Sequence, residues 1–205
     1  AEAAPVVQGH LAGYDALLVG CGLGQNAATA RFLRELLAAL PPELPLVLDA
    51  DGLNILSELD RWWEGLGPRT VVTPHPGEMS RLSSRPIPEI QADRLASAVD
   101  AATEWHLTVV LKGAFTVVAS PEGRARLGPW ANPALATAGT GDVLAGAIAG
   151  LLAQGLSPFD AAACGVYLHG LAGEMVRAEL GDAGAAAGDL PPRLPLAMRR
   201  LKDQA

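Results

Sequence analysis

The chain has few basic residues and few cysteines, and it contains no long apolar run. Its 15 Lys and Arg residues stand against 22 Asp and Glu residues, which gives a net charge of -7 and a pI near 5.0. Phosphate backbones and anionic lipid headgroups require a basic surface, so this balance argues against nucleic acid or a membrane as the main partner. Nucleotide binding stays open, because backbone amides can bind phosphate locally.

The two cysteines, Cys21 and Cys164, lie far apart in the sequence and neither belongs to a metal-binding pair. We expect two reduced thiols and no zinc-type metal site. No segment reaches the roughly 18 uninterrupted apolar residues of a membrane span. Residues 1–5 have neither a basic flank nor an apolar signal core, so we expect a cytoplasmic protein.

Composition and periodicity predict one α/β domain over residues 1–205. The chain is 50% hydrophobic and 18% charged, as is typical of globular domains. Its short apolar runs do not alternate with polar residues, which predicts strands covered on both faces. We therefore expect three layers, with helices on both faces of a mostly parallel sheet and an antiparallel hairpin at its edge. The predicted strands are 17–20, 46–49, 71–73 and 108–111, and the hairpin pairs 115–120 with 125–127.

Helical periodicity and capping residues predict the main helices. Asn26 is placed to cap a helix at 27–40, and Ser157 to cap a helix that Gly181 ends. A further helix is predicted at 91–105. A loop is expected at 181–189, and a short terminal element at 193–202.

The segment from Asn132 to Asp142 is the most informative part of the sequence. Gly139 and Gly141 allow a sharp turn, and the helix that follows adds partial positive charge at the same point, which suits phosphate. Asp142 in the first helical turn could take a proton from a hydroxyl that attacks a phosphoryl group. The alternative is a loop in which Asp142 only caps the helix. Residues 143–153 are apolar on every face, so we expect a buried helix, which favours the first interpretation.

Ligands of open α/β sheets bind at the carboxyl ends of the strands. After the first strand, glycines at 20–24 permit either close packing or backbone contact with a ligand. Asp49, Asp51 and Asn54 follow the second strand. They could orient a hydroxyl, a water or a cation, or Asp51 or Asn54 could cap the next helix.

Two further strand ends carry ionisable side chains. His75 lies between two prolines, which hold it as a donor or an acid/base group, or which simply form a rigid turn. Lys112 follows the fourth strand and could meet the charge of a nucleotide, with a solvated surface charge as the alternative. His169 lies in a mostly apolar helix, and we expect a structural role for it.

Together these segments resemble a known family. In chain order, residues 20–24, 48–54, 73–78, 111–116 and 132–142 are similar to motifs of the ADP/ATP-dependent NAD(P)H-hydrate dehydratases, in the ribokinase-like superfamily. The likeness extends from about Ala16 to about Glu174. It implies a ribokinase-like fold and a carbon–oxygen lyase that repairs hydrated NADH and NADPH. The substrate hydroxyl would be phosphorylated first, because phosphate leaves more readily than hydroxide.

The resemblance also implies site residues. Gly24, His75 and Asp142 would bind the hydrated dinucleotide, with Asp142 as the catalytic base. Adenine nucleotide, either ADP or ATP and with Mg²⁺, would contact Lys112, Gly113, Ala114, Phe115, Thr116 and Gly141. The turn itself adds the amides of Gly139 and Thr140, which could stabilise charge on the transferred group. Supporting positions are Asp49, Asp51, Asn54 and Asn132.

Two departures from the family pattern affect these expectations. Cys21 stands where the family usually has proline, which reduces rigidity more than it alters chemistry. The family domain also begins with strands and helices that have no counterpart in residues 1–13. We therefore expect an N-terminally incomplete domain, with the missing strands either on a longer chain, on another polypeptide or absent. Uncovered edges would favour a homo-oligomer.

Two other functions remain open at this point. A ribokinase-like small-molecule kinase would use the same Gly139–Asp142 turn and stop after phosphorylation. A truncated module would bind nucleotide without activity.

Overall fold

Six strands form one sheet in the computed structural model, which describes residues 3–203. Their spatial order equals their order in the chain. The first four strands are parallel to one another. The fifth strand is antiparallel to the fourth, and the sixth is antiparallel to the fifth, so the edge hairpin is confirmed. The strands are β1 (Leu17–Val19), β2 (Leu46–Leu48), β3 (Thr70–Val72), β4 (Thr108–Leu111), β5 (Val117–Ala119) and β6 (Ala125–Leu127).

Nine helices surround this sheet within the described residues. They are α1 (Ala3–His10), α2 (Ala27–Ala38), α3 (Asp51–Leu56), α4 (Pro76–Ser83), α5 (Ile87–Ala92), α6 (Arg94–Trp105), α7 (Thr140–Ala153), α8 (Pro158–Leu180) and α9 (Leu194–Lys202).

The period of two along each strand divides the core between two faces. Leu46 and Leu48 of β2 point into one cluster, which also contains residues of α2, α4 and α6. Val47 points the other way, against α7 and α8. β2 to β5 are buried at every position, which confirms the expectation of strands covered on both faces.

Several predicted helix ends are confirmed. The side chain of Asn26 accepts hydrogen bonds from the amides of Ala28 and Thr29 and so caps α2. Ser157 caps α8 through the amide of Asp160, and Gly181 lies directly after its last residue. α9 begins within a residue of the predicted start, and the loop at 181–189 contains one short 3-10 turn at Ala187–Asp189.

Two predictions about helices are wrong. The helix expected at 91–105 is two helices, because the backbone of Asp93 leaves the helical region and its side chain caps α6 through the amide of Ala96. α7 is not buried on every face: Asp142, Gly146 and Gly150 lie exposed along one side. An apolar composition shows that a helix can be buried, but not how many of its faces are covered.

Between Ala3 and Asp203, no helix combines the length and apolar character that crossing a membrane requires. Since β1 to β4 are parallel, the loops at 20–24, 49–54, 73–78 and 112–116 all follow the same edge of the sheet. This edge contains the candidate site.

Candidate functional site

Lys112 lies between two buried carboxylates at the carboxyl edge of the sheet. Its Nζ is 2.6 Å from Oδ1 of Asp49 and 3.7 Å from Oε2 of Glu78. Asp49 is 1% exposed and Glu78 is 4% exposed. One ammonium group therefore balances the charge of two buried carboxylates, and its removal would leave both without a cation. Lys112 is an ion-pair partner, which rules out the solvated surface charge.

A thiol and a second carboxylate lie beside this pair. Polar atoms of Cys21, Asp49 and Asp142 lie within 4.8 Å of one another, and Asp142 itself is exposed. Burial, with smaller contributions from the charges of Asp49 and Asp142, raises the pKa of the Cys21 thiol to about 12. Cys21 therefore stays a neutral thiol near pH 7, able to donate a hydrogen bond to either acid.

The turn before α7 presents free main-chain donors. Gly139 adopts a left-handed conformation with φ of +86°, which turns the chain into the helix. The hydroxyl of Thr140 lies 2.7 Å from the carbonyl oxygen of Leu135 and 2.8 Å from that of Thr137. Within residues 3–203, the amides of Gly139, Gly141 and Asp142 have no protein acceptor. These N–H groups are available to an anion, as the sequence predicts.

A cavity of about 400 Å³ adjoins this turn and is walled mainly by apolar groups. Six of the eight residues predicted to contact nucleotide line this cavity, namely Lys112, Gly113, Ala114, Thr116, Thr140 and Gly141. Asn132 lines it as well. Phe115 and Gly139 do not line it. The side chain of Phe115 is 52% exposed, while its amide donates to the carbonyl of Trp130 at 2.8 Å.

His75 is oriented by the helix that follows it. Its Nδ1 accepts hydrogen bonds from the amides of Gly77 and Glu78, and its own amide donates to Oε2 of Glu78 at 2.7 Å. Burial lowers the pKa of His75 most, while the charge of Glu78 opposes that shift. The neutral ring therefore carries its proton on Nε2, which lies 3.4 Å from Oε1 of Glu78. The side chain is half exposed, so a ligand can also reach this nitrogen. The prediction of a fixed imidazole is confirmed, and a helix cap contributes to fixing it.

The glycine loop at 20–24 packs against the loop after β2. A side chain at Gly20 would place Cβ 1.8 Å from the carbonyl oxygen of Asp49, so this glycine permits close packing. The amide of Gly24 donates to Oδ2 of Asp51 at 2.8 Å. That amide is thus already paired, and a ligand at Gly24 would meet other backbone atoms.

Asp51 and Asn54 do not cap α3, contrary to the alternative that the sequence leaves open. The capping position is Ala50, which has no side-chain acceptor. Besides Gly24, Asp51 binds the side chain of Gln25 at 2.6 Å, and Asn54 accepts from Nε of Arg81 at 3.0 Å. Both residues tie neighbouring loops together at the site.

Sequence reasoning missed two residues that shape the site. Nε2 of His169 lies 2.9 Å from the carbonyl oxygen of Thr140, and the ring borders the cavity. Arg94 donates to the carbonyls of Leu111 and Lys112 at 2.9 and 3.1 Å and so fixes the loop after β4. The pairs are separated by 17 or more residues, and no local pattern predicts them.

The donors at this edge fit Mg²⁺ only in part. Mg²⁺ prefers oxygen ligands, so the Cys21 thiol does not suit it, and Asp49 is already paired with Lys112. Of the group Cys21, Asp49 and Asp142, this leaves the carboxylate of Asp142 as a ligand for the ion. This set suits a Mg²⁺ ion that is held mainly by nucleotide phosphates and water rather than by a protein cage.

Comparison of the sequence with known families and proteins gives a consistent result. A family model described as NAD(P)H-hydrate dehydratase matches residues 2–195. The chain is 46% identical over 195 residues to the bifunctional NAD(P)H-hydrate repair enzyme Nnr of Moorella thermoacetica, which covers 95% of this chain and 36% of that protein. The chain thus spans about a third of the length of this relative.

Two solved structures are similar to more than nine-tenths of this chain. The ADP/ATP-dependent NAD(P)H-hydrate dehydratase of Bacillus subtilis, co-crystallised with ATP/Mg²⁺, is 35% identical with a TM-score of 0.80, covering 91% of this chain and 64% of that one. A ribokinase-like superfamily protein of Enterococcus faecalis is 30% identical with a TM-score of 0.81, covering 96% and 66%. The ribokinase-like α/β fold expected from the sequence is confirmed.

Proposed function

Because the chain belongs to the NAD(P)H-hydrate dehydratase family, we propose that it repairs hydrated NADH and NADPH by a dehydration that consumes ADP or ATP. The family match confirms the resemblance inferred from the five ordered motifs. One observation carries the proposal. The 400 Å³ cavity, lined by Lys112 and Gly141, adjoins a turn with unpaired amides, and the carboxylate of Asp142 lies at that turn.

The nucleotide occupies the cavity in this proposal. Its base and ribose lie against the apolar wall, and its terminal phosphate reaches the amides of Gly141 and Asp142 at the start of α7. Lys112 stays paired with Asp49 and adds positive charge beside Gly141. A Cβ added to Gly141 would lie only 3.4 Å from Nζ of Lys112. A Mg²⁺ ion held by the nucleotide phosphates and Asp142 would supply further charge neutralisation there.

The hydrated dinucleotide lies on the outer side of the turn, where Asp142 is exposed. Nε2 of His75 carries the ring proton, because Nδ1 is occupied by the cap of α4. It lies 3.4 Å from Oε1 of Glu78, but the side chain is half exposed, so the substrate can reach this N–H. The backbone of Gly24, fixed by Asp51, forms part of the same surface. These residues bind and orient the substrate hydroxyl toward the terminal phosphoryl group.

The reaction then has two steps. Asp142 takes the hydroxyl proton while the oxygen forms a bond to the terminal phosphorus, and the bond from that phosphorus to the remaining nucleotide breaks. In the second step the lone pair of the reduced-ring nitrogen forms a double bond to carbon as the carbon–oxygen bond breaks with loss of phosphate. The neighbouring ring carbon then loses a proton to water or to the released phosphate, which restores the carbon–carbon double bond of NADH. The amides of Gly141 and Asp142 stabilise the charge on the transferred group.

Asp142→Asn tests this assignment. Loss of the base should reduce turnover of hydrated NADH in the presence of ADP by a factor of about 10² to 10⁴, while the unfolding transition stays in place. Asp160→Asn is the matched control, since Asp160 occupies the corresponding first-turn position of α8 and is exposed. The control should keep wild-type turnover. Near-normal turnover by Asp142→Asn would refute the role of this residue.

The same assay separates the competing functions. Recovery of NADH absorbance supports the lyase, while a stable phosphorylated alcohol would indicate a small-molecule kinase instead. Thermal stabilisation by ADP without any turnover would indicate a nucleotide-binding module. The homo-oligomer stays a prediction.

A further inference from the structure

His169 links the long helix α8 to the first residue of α7. The residue is 7% exposed, and its Nε2 lies 2.9 Å from the carbonyl oxygen of Thr140. A carbonyl can only accept, so Nε2 carries the proton and donates it. This bond is the only hydrogen bond that the ring makes within residues 3–203.

Thr140 is therefore anchored from two sides. Its hydroxyl lies within 2.8 Å of the carbonyl oxygens of Leu135 and Thr137, which fixes the segment before the helix. Its carbonyl receives the imidazole N–H from α8. The next two residues are Gly141 and Asp142, so a displaced Thr140 carbonyl would shift the phosphate-facing amides and the carboxylate together.

We propose that His169 is a positioning residue, which holds the first turn of α7 so that Gly141 and Asp142 meet the transferred phosphoryl group. This inference rests on the proposed function for its catalytic consequence. The structural link itself does not depend on that function. Because the ring also borders the cavity, the same contact fixes the junction between the nucleotide wall and the turn.

The surroundings keep the ring in the required state. The pKa of His169 is lowered to about 4, mainly by burial. The bond to Thr140 opposes this shift, and the nearby charge of Lys112 adds to it. The imidazole is thus neutral near pH 7. A neutral ring with its proton on Nε2 gives one defined donor, whereas an imidazolium would stand close to Lys112.

Two substitutions distinguish positioning from simple filling of space. His169→Gln places its amide nitrogen near the position of Nε2 and keeps the donor, whereas His169→Asn places it near Nδ1 and loses the bond to Thr140. We expect His169→Gln to keep kcat within about threefold of the wild type. His169→Asn should lower kcat about 10- to 100-fold with a smaller change in the KM for ADP, because misplacement of reacting groups mainly affects the chemical step.

Amide hydrogen exchange provides a readout that needs no activity. In His169→Asn, exchange should accelerate at residues 143–145, whose amides belong to the first hydrogen-bonded turn of α7, and stay unchanged in the central sheet. His169→Gln should exchange as the wild type does. In the wild type, ¹⁵N spectra should show a neutral imidazole protonated on Nε2 at pH 7.

The outcomes separate the two hypotheses. Equal behaviour of the two variants, changes spread over all of α8, or an imidazole protonated on Nδ1 would overturn the positioning role. If the wild type has no turnover but the exchange pattern follows the expectation, the positioning role stands and the proposed function fails.

Discussion

Gly170→Ala is the substitution with the most direct consequence for the cavity. Gly170 lies in α8, and Trp130 packs its indole edge directly on this glycine. An added Cβ would lie 1.8 Å from Cδ1 and 2.3 Å from Nε1 of Trp130. Ordinary van der Waals contact begins near 3.4 Å, so the indole has to retreat by about 1.6 Å.

The retreat reduces the space for a ligand. Trp130 and Gly170 both line the cavity, and Tyr167 limits movement on another side, with ring centroids 5.7 Å apart. The indole therefore moves toward the open volume. Overpacking of this kind costs about 1 to 3 kcal/mol. We expect ADP affinity to fall at least about tenfold, which corresponds to about 1.4 kcal/mol.

Calorimetric titration with ADP measures the affinity, and tryptophan fluorescence reports the indole. The three other tryptophans, Trp62, Trp63 and Trp105, pack on one another away from the cavity, so a spectral change on ADP binding reports Trp130. Gly146→Ala is the control, because its Cβ would meet no atom within 4 Å. It should stabilise α7 by up to about 1 kcal/mol and leave ADP affinity unchanged. Wild-type affinity and fluorescence in Gly170→Ala would show that the indole does not move into the cavity.

Three further predictions concern charge. Lys112→Met leaves Asp49 and Glu78 buried without a cation. The free energy of unfolding at pH 7, measured by denaturant titration, should therefore fall by about 3 to 5 kcal/mol. An unchanged unfolding midpoint would contradict the ion-pair assignment. Cys21 should react with iodoacetamide roughly 1,000-fold more slowly than an ordinary thiol at pH 8, because its raised pKa depletes the thiolate; a normal rate would place the thiol in a different environment. His169 has a lowered pKa in the folded state, so its contribution to stability is complete above about pH 6.5 and is lost as the pH falls toward 4. Stability should drop by about 2 kcal/mol between pH 7.5 and pH 5 from this group, and His169→Gln should remove that part of the drop.

The sequence predicts the parts of the fold that depend on local pattern. Nonalternating apolar runs predict the first four strands and a turn signal predicts the hairpin of the last two, all to within a residue or two. Asn26, Ser157 and Gly181 mark helix ends because capping is a local interaction. The break at Asp93 was missed, since an aspartate inside a helical pattern can cap a new helix or simply face solvent. The exposed side of α7 was missed because small apolar residues suit both buried and open faces.

In the candidate site too, the sequence predicts what depends on local pattern and misses contacts between distant residues. Parallel strands bring their carboxyl ends to one edge, so the loops with Lys112 and Asp49 could be placed together from the sequence. Their pairing could not, because it joins residues 63 positions apart. The apolar helix around His169 indicates a structural role, but it does not identify the partner, because the partner is a backbone carbonyl 29 residues away.

In the proposed function, the turn at Gly139 to Asp142 binds the phosphates of a nucleotide whose base occupies the adjoining cavity. A crystal structure of the protein with ADP and Mg²⁺ would show whether it does. The terminal phosphate should lie within hydrogen-bond distance of the Gly141 and Asp142 amides, with the base between Trp130 and Asn132. A nucleotide bound elsewhere, or an Asp142 carboxylate turned away from the terminal phosphate, would contradict the claim.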